Sequence, residues 1–263
     1  MISSILSYGA LLAVKHASRA LYTVREEWVG DVPADPWKDV RLIAVLNHTS
    51  LAEGIYLAVV PNRVLRRISR HAVLPVAEET MRRPLDGWIF RTLVANAVSI
   101  TRKRDHSWTR VLNEIDDPKS MVALFPEGRM MRPTGLDKKG GPMTVKPGIA
   151  DVLLGLEHGR MILAYSGGLH HVFRPGASFP SFFKVVHLKI ESLDIADYIR
   201  ERKKEGWSFS SAVVRDLTRR RDLYTPIAPG TPSPVRAEIR RRRDRMMDAL
   251  KKARPSRSSD RKS

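Results

Sequence analysis

Two apolar runs of the same kind constrain this chain most. Leu42-Ile43-Ala44-Val45-Leu46 and Met121-Val122-Ala123-Leu124 are continuously apolar rather than alternating, and each leads straight into a polar turn. A strand with apolar residues on both faces must be covered on both faces, which is the condition of a parallel sheet clad in helices. Further strands are expected near 72–77, 97–101, 161–166 and 184–191, with one near 41–47 and one near 121–125. Helices are expected near 51–60, 85–95, 107–116, 147–158, 207–221 and 234–252. With 263 residues the chain can bury a sizeable core, and alternating strands and helices indicate one α/β domain with appendages.

The turn after the first run reads Asn47-His48-Thr49-Ser50-Leu51-Ala52-Glu53 and opens a helix. Ligands of open α/β sheets bind beyond the carboxyl ends of the strands, so His48 and Glu53 stand where a general base would be useful. A neutral imidazole accepts a proton near neutral pH, and a carboxylate on its other nitrogen fixes the tautomer and stabilises the cation. The same residues also spell a capping box, in which Ser50 caps the helix and Glu53 reaches back to the Ser50 N–H. Both readings stand at this point.

The second run enters Phe125-Pro126-Glu127-Gly128-Arg129. Pro126 ends the ladder, Gly128 permits close backbone approach, and Arg129 offers a planar fork of donors suited to phosphate. Taken by itself the segment could equally be a strand-ending turn with a solvated ion pair.

Together these segments resemble the glycerolipid acyltransferase family typified by lysophosphatidic acid acyltransferase. That family carries N-H-x-x-x-x-D, then F-P-E-G-T-R. The chain has Asn47-His48 with Glu53, then Phe125-Pro126-Glu127-Gly128-Arg129. Between them Val98-Ser99-Ile100-Thr101-Arg102 is similar to the family's strand ending in a substrate-binding arginine. Lys146-Pro147-Gly148 is similar to its lysine-glycine helix start, and Ile162-Leu163-Ala164-Tyr165 occupies the place of its apolar fourth motif. The resemblance runs from about residue 41 to 174. Three departures are visible: Glu53 is one methylene longer than the usual aspartate, Arg129 follows Gly128 without a threonine, and the fourth motif lacks its proline.

The resemblance implies a single domain with a mostly parallel mixed sheet. It also implies transfer of a fatty acyl group from acyl-CoA or acyl-carrier protein to the hydroxyl of a lysophospholipid such as 1-acylglycerol 3-phosphate. His48 would be the base, oriented by Glu53. Arg102, Arg129 and Lys146 would hold the acceptor phosphate, while Glu127 and Gly128 order the turn that carries Arg129. Another lysolipid or a phosphate-free acceptor is the alternative, as is a non-enzymatic basic protein. No cofactor is expected beyond the thioester co-substrate. The absence of cysteine excludes disulfides and a cysteine acyl-enzyme, and the eight histidines, including His170-His171, show no zinc-ligand spacing, so no metal site is expected.

The ends of the chain suggest where it works. Residues 1–14 are uncharged and too short to span a bilayer, so 2–24 read as an interfacial helix in an N-terminal segment 1–30, lying on lipid or docked on the protein's own core. A catalytic domain would cover 31–224. The remainder, 225–263, contains a proline-rich link and a basic helix with an apolar stripe of Val235, Ile239, Met246 and Leu250. Residues 234–263 carry twelve Lys or Arg against four Asp or Glu, a large part of the net +18. Such a helix suits the cytoplasmic face of an anionic membrane, with the protein held peripherally; nucleic acid is the disfavoured partner because no nucleic-acid-binding module accompanies the arginines. Two loops complete the reading: residues 130–145 as a lid over the acceptor, and Phe173, Phe179, Phe182 and Phe183 as an aromatic loop that touches lipid or packs on the sheet edge.

Overall fold

A computed structural model describes residues 2–82, 96–101, 106–174, 177, 179–227 and 231–253. Seven strands form one sheet: β1 (Tyr22–Trp28), β2 (Val40–Leu46), β3 (Ala72–Ala77), β4 (Asn96–Ile100), β5 (Met121–Leu124), β6 (Arg160–Ser166) and β7 (Lys184–Asp194). Their spatial order is β1-β7-β6-β2-β5-β3-β4. All neighbouring pairs are parallel except β6 with β7. This is the α/β fold expected from the apolar runs, with the mostly parallel mixed sheet that the resemblance implies.

The two faces of the sheet explain those runs. Leu42, Ala44 and Leu46 of β2 point into one core, which also contains Val122 and Leu124 of β5 and Met161, Leu163 and Tyr165 of β6. Helices α4 (His106–Ile115), α5 (Gly148–Leu156), α6 (Ile195–Lys204) and α7 (Phe209–Tyr224) cover it. Ile43, Val45, Ile162 and Ala164 point the other way, into a core shared with α1 (Ile2–Leu21), the 3-10 helix Leu51–Val59 and α2 (Asn62–His71). Each apolar residue in these strands therefore has a neighbour to meet. A short α3 (Glu78–Met81) follows β3, and α8 (Ser233–Ala253) ends the described chain.

All six expected strands are present, and β1 is an addition. Tyr22, Val24 and Trp28 face the core while Thr23, Arg25, Glu26 and Glu27 are exposed, forming an edge strand parallel to β7, so the expectation of helix through residue 24 is corrected at Leu21. Its charged outer residues are typical of a protected edge, and Lys189 Nζ lies 2.9 Å from Glu27 Oε1. The expected helix 51–60 is a 3-10 helix, and α2, α3 and α6 are additions. The expected helix 85–95 lies outside the described residues.

Of the two readings of the N-terminal helix, the structure contains the docked one. Leu11 is buried against the 3-10 helix and α2. Lys15 Nζ donates to Val60 O and Asn62 Oδ1, both at 2.7 Å, and Arg19 Nε donates to Ala58 O at 2.8 Å. The cations thus satisfy carbonyls at the end of the 3-10 helix, where the helix dipole favours positive charge. Burial, and then the neighbouring Arg19 charge, hold the Lys15 ammonium below its ordinary pKa. Ile5 and Leu6 remain exposed at the other end of α1. Among the described residues, no helix is long and apolar enough to cross a membrane.

The basic C-terminal helix is more integrated than its composition suggests. Val235 and Ile239 bury against Met131 and Met143, and Met246 is buried about two turns after Ile239; Leu250 is exposed. The stripe expected to face lipid is therefore largely core. The loop 130–145 is pinned beneath it through the same two methionines, which corrects its reading as a free lid. Replacing Ile239 with Ala should cost about 2–4 kcal/mol, because deep truncation leaves a cavity. Urea unfolding checks this, and a parental midpoint would mean that α8 is not part of the folded core.

Candidate active site

The turn after β2 carries the base candidate, and its shape begins at Asn47. That residue has φ +62°, a left-handed conformation that asparagine tolerates better than most. Its amide is fixed at both ends: Nδ2 donates to Ser166 O at 2.9 Å, and Oδ1 accepts from Arg242 Nη2 at 3.1 Å. Thr49 Oγ1 accepts from Leu169 N at 2.8 Å. Gly168, at φ +86°, completes the β6 turn beside Thr49, where a side chain would be strained. Adjacent parallel strands β2 and β6 thus lock each other's carboxyl ends.

His48 is 7% exposed and has its Nδ1 hydrogen-bonded to Glu53 Oε2. The other carboxylate oxygen, Oε1, accepts from Thr49 N at 2.8 Å. Ser50 does cap the 3-10 helix, accepting from Ala52 N at 3.1 Å. The capping-box expectation is nevertheless corrected: Glu53 reaches Thr49 N–H and the imidazole instead of the Ser50 N–H. With Nδ1 engaged by a carboxylate, the neutral ring carries its proton there and keeps the lone pair on Nε2. Tyr56 OH lies 2.8 Å from Ser166 Oγ. Burial and then the Glu53 charge push its phenol far above the ordinary value, so it stays neutral.

β5 brings the second segment alongside. The Phe125 ring lies against the His48 ring, with centroids 4.2 Å apart and planes inclined by 32°. Glu127 is fully enclosed. Its Oε2 accepts from His48 N at 3.1 Å and its Oε1 from Arg221 Nη1 at 2.8 Å. Glu127 therefore orders more than its own turn, since it joins both segments to α7. Met131 N donates to His48 O at 2.8 Å, so both backbone polar groups of His48 are held by the second segment.

Gly128 has φ +62°, and its N donates to Phe125 O at 2.9 Å, closing the turn that presents Arg129. The guanidinium of Arg129 is 38% exposed and one arm, Nη1, is paired with Asp137. Asp137 is itself gripped by Lys139 N at 2.7 Å and Gly141 N at 2.9 Å. The Gly141 N–H first, and then Arg129, hold its carboxyl below the ordinary carboxylate range, so the clamp contributes fully above the ordinary carboxylate pKa of about 4 and is lost only as pH falls through the lowered folded value. Lys146 N donates to Pro126 O at 2.8 Å, and a methyl group at Gly128 would touch the Lys146 stem at 3.9 Å from Cγ. Its Nζ donates to Thr144 Oγ1 at 2.8 Å near solvent. The chain thus gathers His48, Glu53, Glu127, Gly128, Arg129 and Lys146 at the carboxyl ends of β2 and β5. Arg102 lies outside the described residues.

Residues 29–165, just over half the chain, match a family model described as Acyltransferase. The chain belongs to the acyltransferase family. Among solved structures, this acyltransferase is similar to the 1-acyl-sn-glycerophosphate (LPA) acyltransferase PlsC from Thermotoga maritima. The likeness has 18% identity and a TM-score of 0.49, and covers 79% of this chain and 76% of that one. No curated protein matches it in sequence.

Four residues of the candidate site escaped sequence reasoning. Asp137, Ser166, Arg221 and Arg242 belong to no short motif, and three of them follow the matched region. Arg219-Arg220-Arg221 looks like a solvated run, yet Arg220 pairs with buried Glu191 and Arg221 with buried Glu127. The histidine pair proves ordinary: His170 Nε2 meets Met131 O and His171 Nε2 meets Val185 O, both at 2.9 Å. Burial holds both rings below their usual pKa.

Removing the cation from a buried pair leaves an uncompensated charge, so Arg221→Met should cost about 3–5 kcal/mol. Adding Glu127→Gln should recover part of that loss. Denaturation of the two singles and the double checks it; additive losses would mean the two residues do not depend on each other.

Proposed function

We propose that this acyltransferase moves a fatty acyl group from acyl-CoA or acyl-carrier protein to the hydroxyl of a lysophospholipid, most simply 1-acylglycerol 3-phosphate. The observation that carries this reading is the His48–Glu53 pair at the end of β2, beside the Arg129 and Lys146 cations at the end of β5. In the proposed reaction, His48 Nε2 takes the proton of the acceptor hydroxyl as its oxygen attacks the thioester carbonyl. Glu53 supports the imidazolium that forms. The tetrahedral intermediate then expels the thiolate, which leaves with the proton from His48. Backbone N–H groups near the turn would stabilise the oxyanion.

Arg129 and Lys146 would bind the acceptor's phosphate, positioning a weak nucleophile for attack. The family resemblance adds Arg102 to that set. Glu127 acts through the backbone of His48 and the Gly128 turn. The loss of one arm of Arg129 to Asp137 favours a second reading, an acceptor with a smaller or absent anionic group.

Attachment to the cytoplasmic face of an anionic membrane accords with the net charge of +18 and with exposed Ile5, Leu6, Phe179 and Phe183. Phe183 N donates to Leu21 O at 2.7 Å, so this aromatic loop adjoins the end of α1. On the C-terminal helix Arg242 is buried and Arg243 donates to Thr225 O at 2.6 Å, while Arg240, Arg241 and Arg245 stay exposed and could face the same membrane.

The test uses palmitoyl-CoA or palmitoyl-acyl-carrier protein with a panel of lysolipids, reading free thiol. His48→Ala should lower turnover by about 10²–10⁴-fold without unfolding the protein. Glu53→Gln keeps an acceptor for Thr49 N but loses the charge, so turnover should fall while the melting temperature holds. Normal turnover with a lower melting temperature would confine Glu53 to the turn.

Arg129→Lys separates the acceptor readings. Losing the planar fork should raise KM for 1-oleoylglycerol 3-phosphate and leave the donor's KM unchanged. A change confined to the donor would remove Arg129 from the acceptor site. Better use of monoacylglycerol than of its phosphate would favour the second reading.

A further inference from the structure

We infer that Arg242, on the C-terminal helix, is a positioning residue for the His48 base and acts through Asn47. The inference deepens the proposed reaction and rests on it. Arg242 is 195 residues from Asn47 in sequence and follows the region matched by the family model. No short motif contains it.

Arg242 is 5% exposed, and the polar surroundings it gains are incomplete. Nη2 donates to Asn47 Oδ1 at 3.1 Å and lies 3.9 Å from Met131 Sδ. Nη1 is 3.7 Å from Asp222 Oδ1 and Nε is 3.7 Å from Glu238 Oε1, too far for hydrogen bonds, and neither nitrogen has a hydrogen-bond partner among the described residues. Burying a guanidinium in this state costs stability. A methionine of similar length could pack beside Met131 without that cost, and such replacements of buried charges are often stabilising. Docking of α8 therefore does not explain the charge.

The contact with Asn47 does. Asn47 holds a left-handed backbone conformation immediately before His48, and its amide bridges Arg242 and Ser166. Without Arg242, Oδ1 loses its donor and the amide is free to turn. The bend that aims His48 at the substrate would then rest on fewer constraints. A second route ends on the same histidine: Asp222 approaches both Arg242 and Arg221, and Arg221 pairs with Glu127, which accepts from His48 N. The C-terminal helix thus meets the base from two directions, through its side-chain turn and through its backbone N–H. A base misplaced by about 1 Å can lose about 100-fold in rate while substrate binding persists.

The test is steady-state kinetics on the full chain with palmitoyl-CoA and 1-oleoylglycerol 3-phosphate, below the melting temperature of every variant. Arg242→Met should lower kcat by roughly 10- to 100-fold with both KM values unchanged. Arg242→Lys, which keeps a donor for Asn47, should fall between. Asn47→Ala should lose kcat similarly, and the Asn47→Ala, Arg242→Met double variant should be no slower than the worse single. Met246→Ala trims another buried residue of α8 and should lower the melting temperature while leaving kcat as in the parent. If Arg242→Met does not fold, Arg242→Lys and Asn47→Ala carry the same kcat and KM comparison. Parental kcat in the Arg242 variants, or losses that multiply in the double, would overturn the inference. So would an equal kcat loss in Met246→Ala, which would assign the effect to helix docking. A parent chain that releases no thiol with either a CoA or a carrier-protein donor would instead sink the proposed reaction itself.

Discussion

The carboxylate of Glu127 is the constraint on which the rest of the site depends. It is sealed from solvent, accepts from the backbone of His48, and is neutralised by Arg221 of α7. An isolated buried carboxylate is costly, so the two strand ends and α7 must come together for the charge to be tolerated. Its penalty makes the arrangement specific: a shift of any one element would leave a charge or an N–H without its partner. Positioning of His48 is therefore part of the folding problem and not a local property of its turn.

The sheet supplies the frame for that charge. β2 lies between β5 and β6, all three run parallel, and their carboxyl ends carry the His48 turn, the Glu127 turn and the Ser166–Gly168 turn respectively. Three short segments far apart in sequence thus emerge side by side. The helices on both faces bury the strands and leave these ends as the place where polar groups collect. Excess positive charge is partly absorbed in the same way, since Lys15, Arg221 and Arg242 turn inward to satisfy carbonyls, carboxylates and an amide.

Much of this architecture was legible from local chemistry. The continuous apolar runs marked β2 and β5, and the residue types after each run marked a candidate base, a carboxylate and a candidate anion-binding fork. β1 was less legible because its residues follow a helix without a break, and its strand identity comes from pairing with β7. The apolar stripe of α8 was visible, but its destination was not. A stripe of four residues fits a bilayer surface or a methionine-lined groove equally well, and only the positions of Met131 and Met143 decide between them.

The sequence by itself determined the fold class and marked His48, Glu53, Glu127 and Arg129 as candidates at the strand ends, because strand burial and turn chemistry are written in neighbouring residues. Tertiary structure alone decided which carboxylate oxygen meets Thr49 and which meets His48, that Asp137 occupies one arm of Arg129, and that Arg221 and Arg242 reach Glu127 and Asn47 beside His48. The physical reason is range. A capping residue or an apolar alternation acts over a few positions, whereas a buried charge finds its partner wherever the packed chain brings one within about 3 Å, and no local pattern in an arginine-rich helix tells the buried guanidinium from the solvated ones.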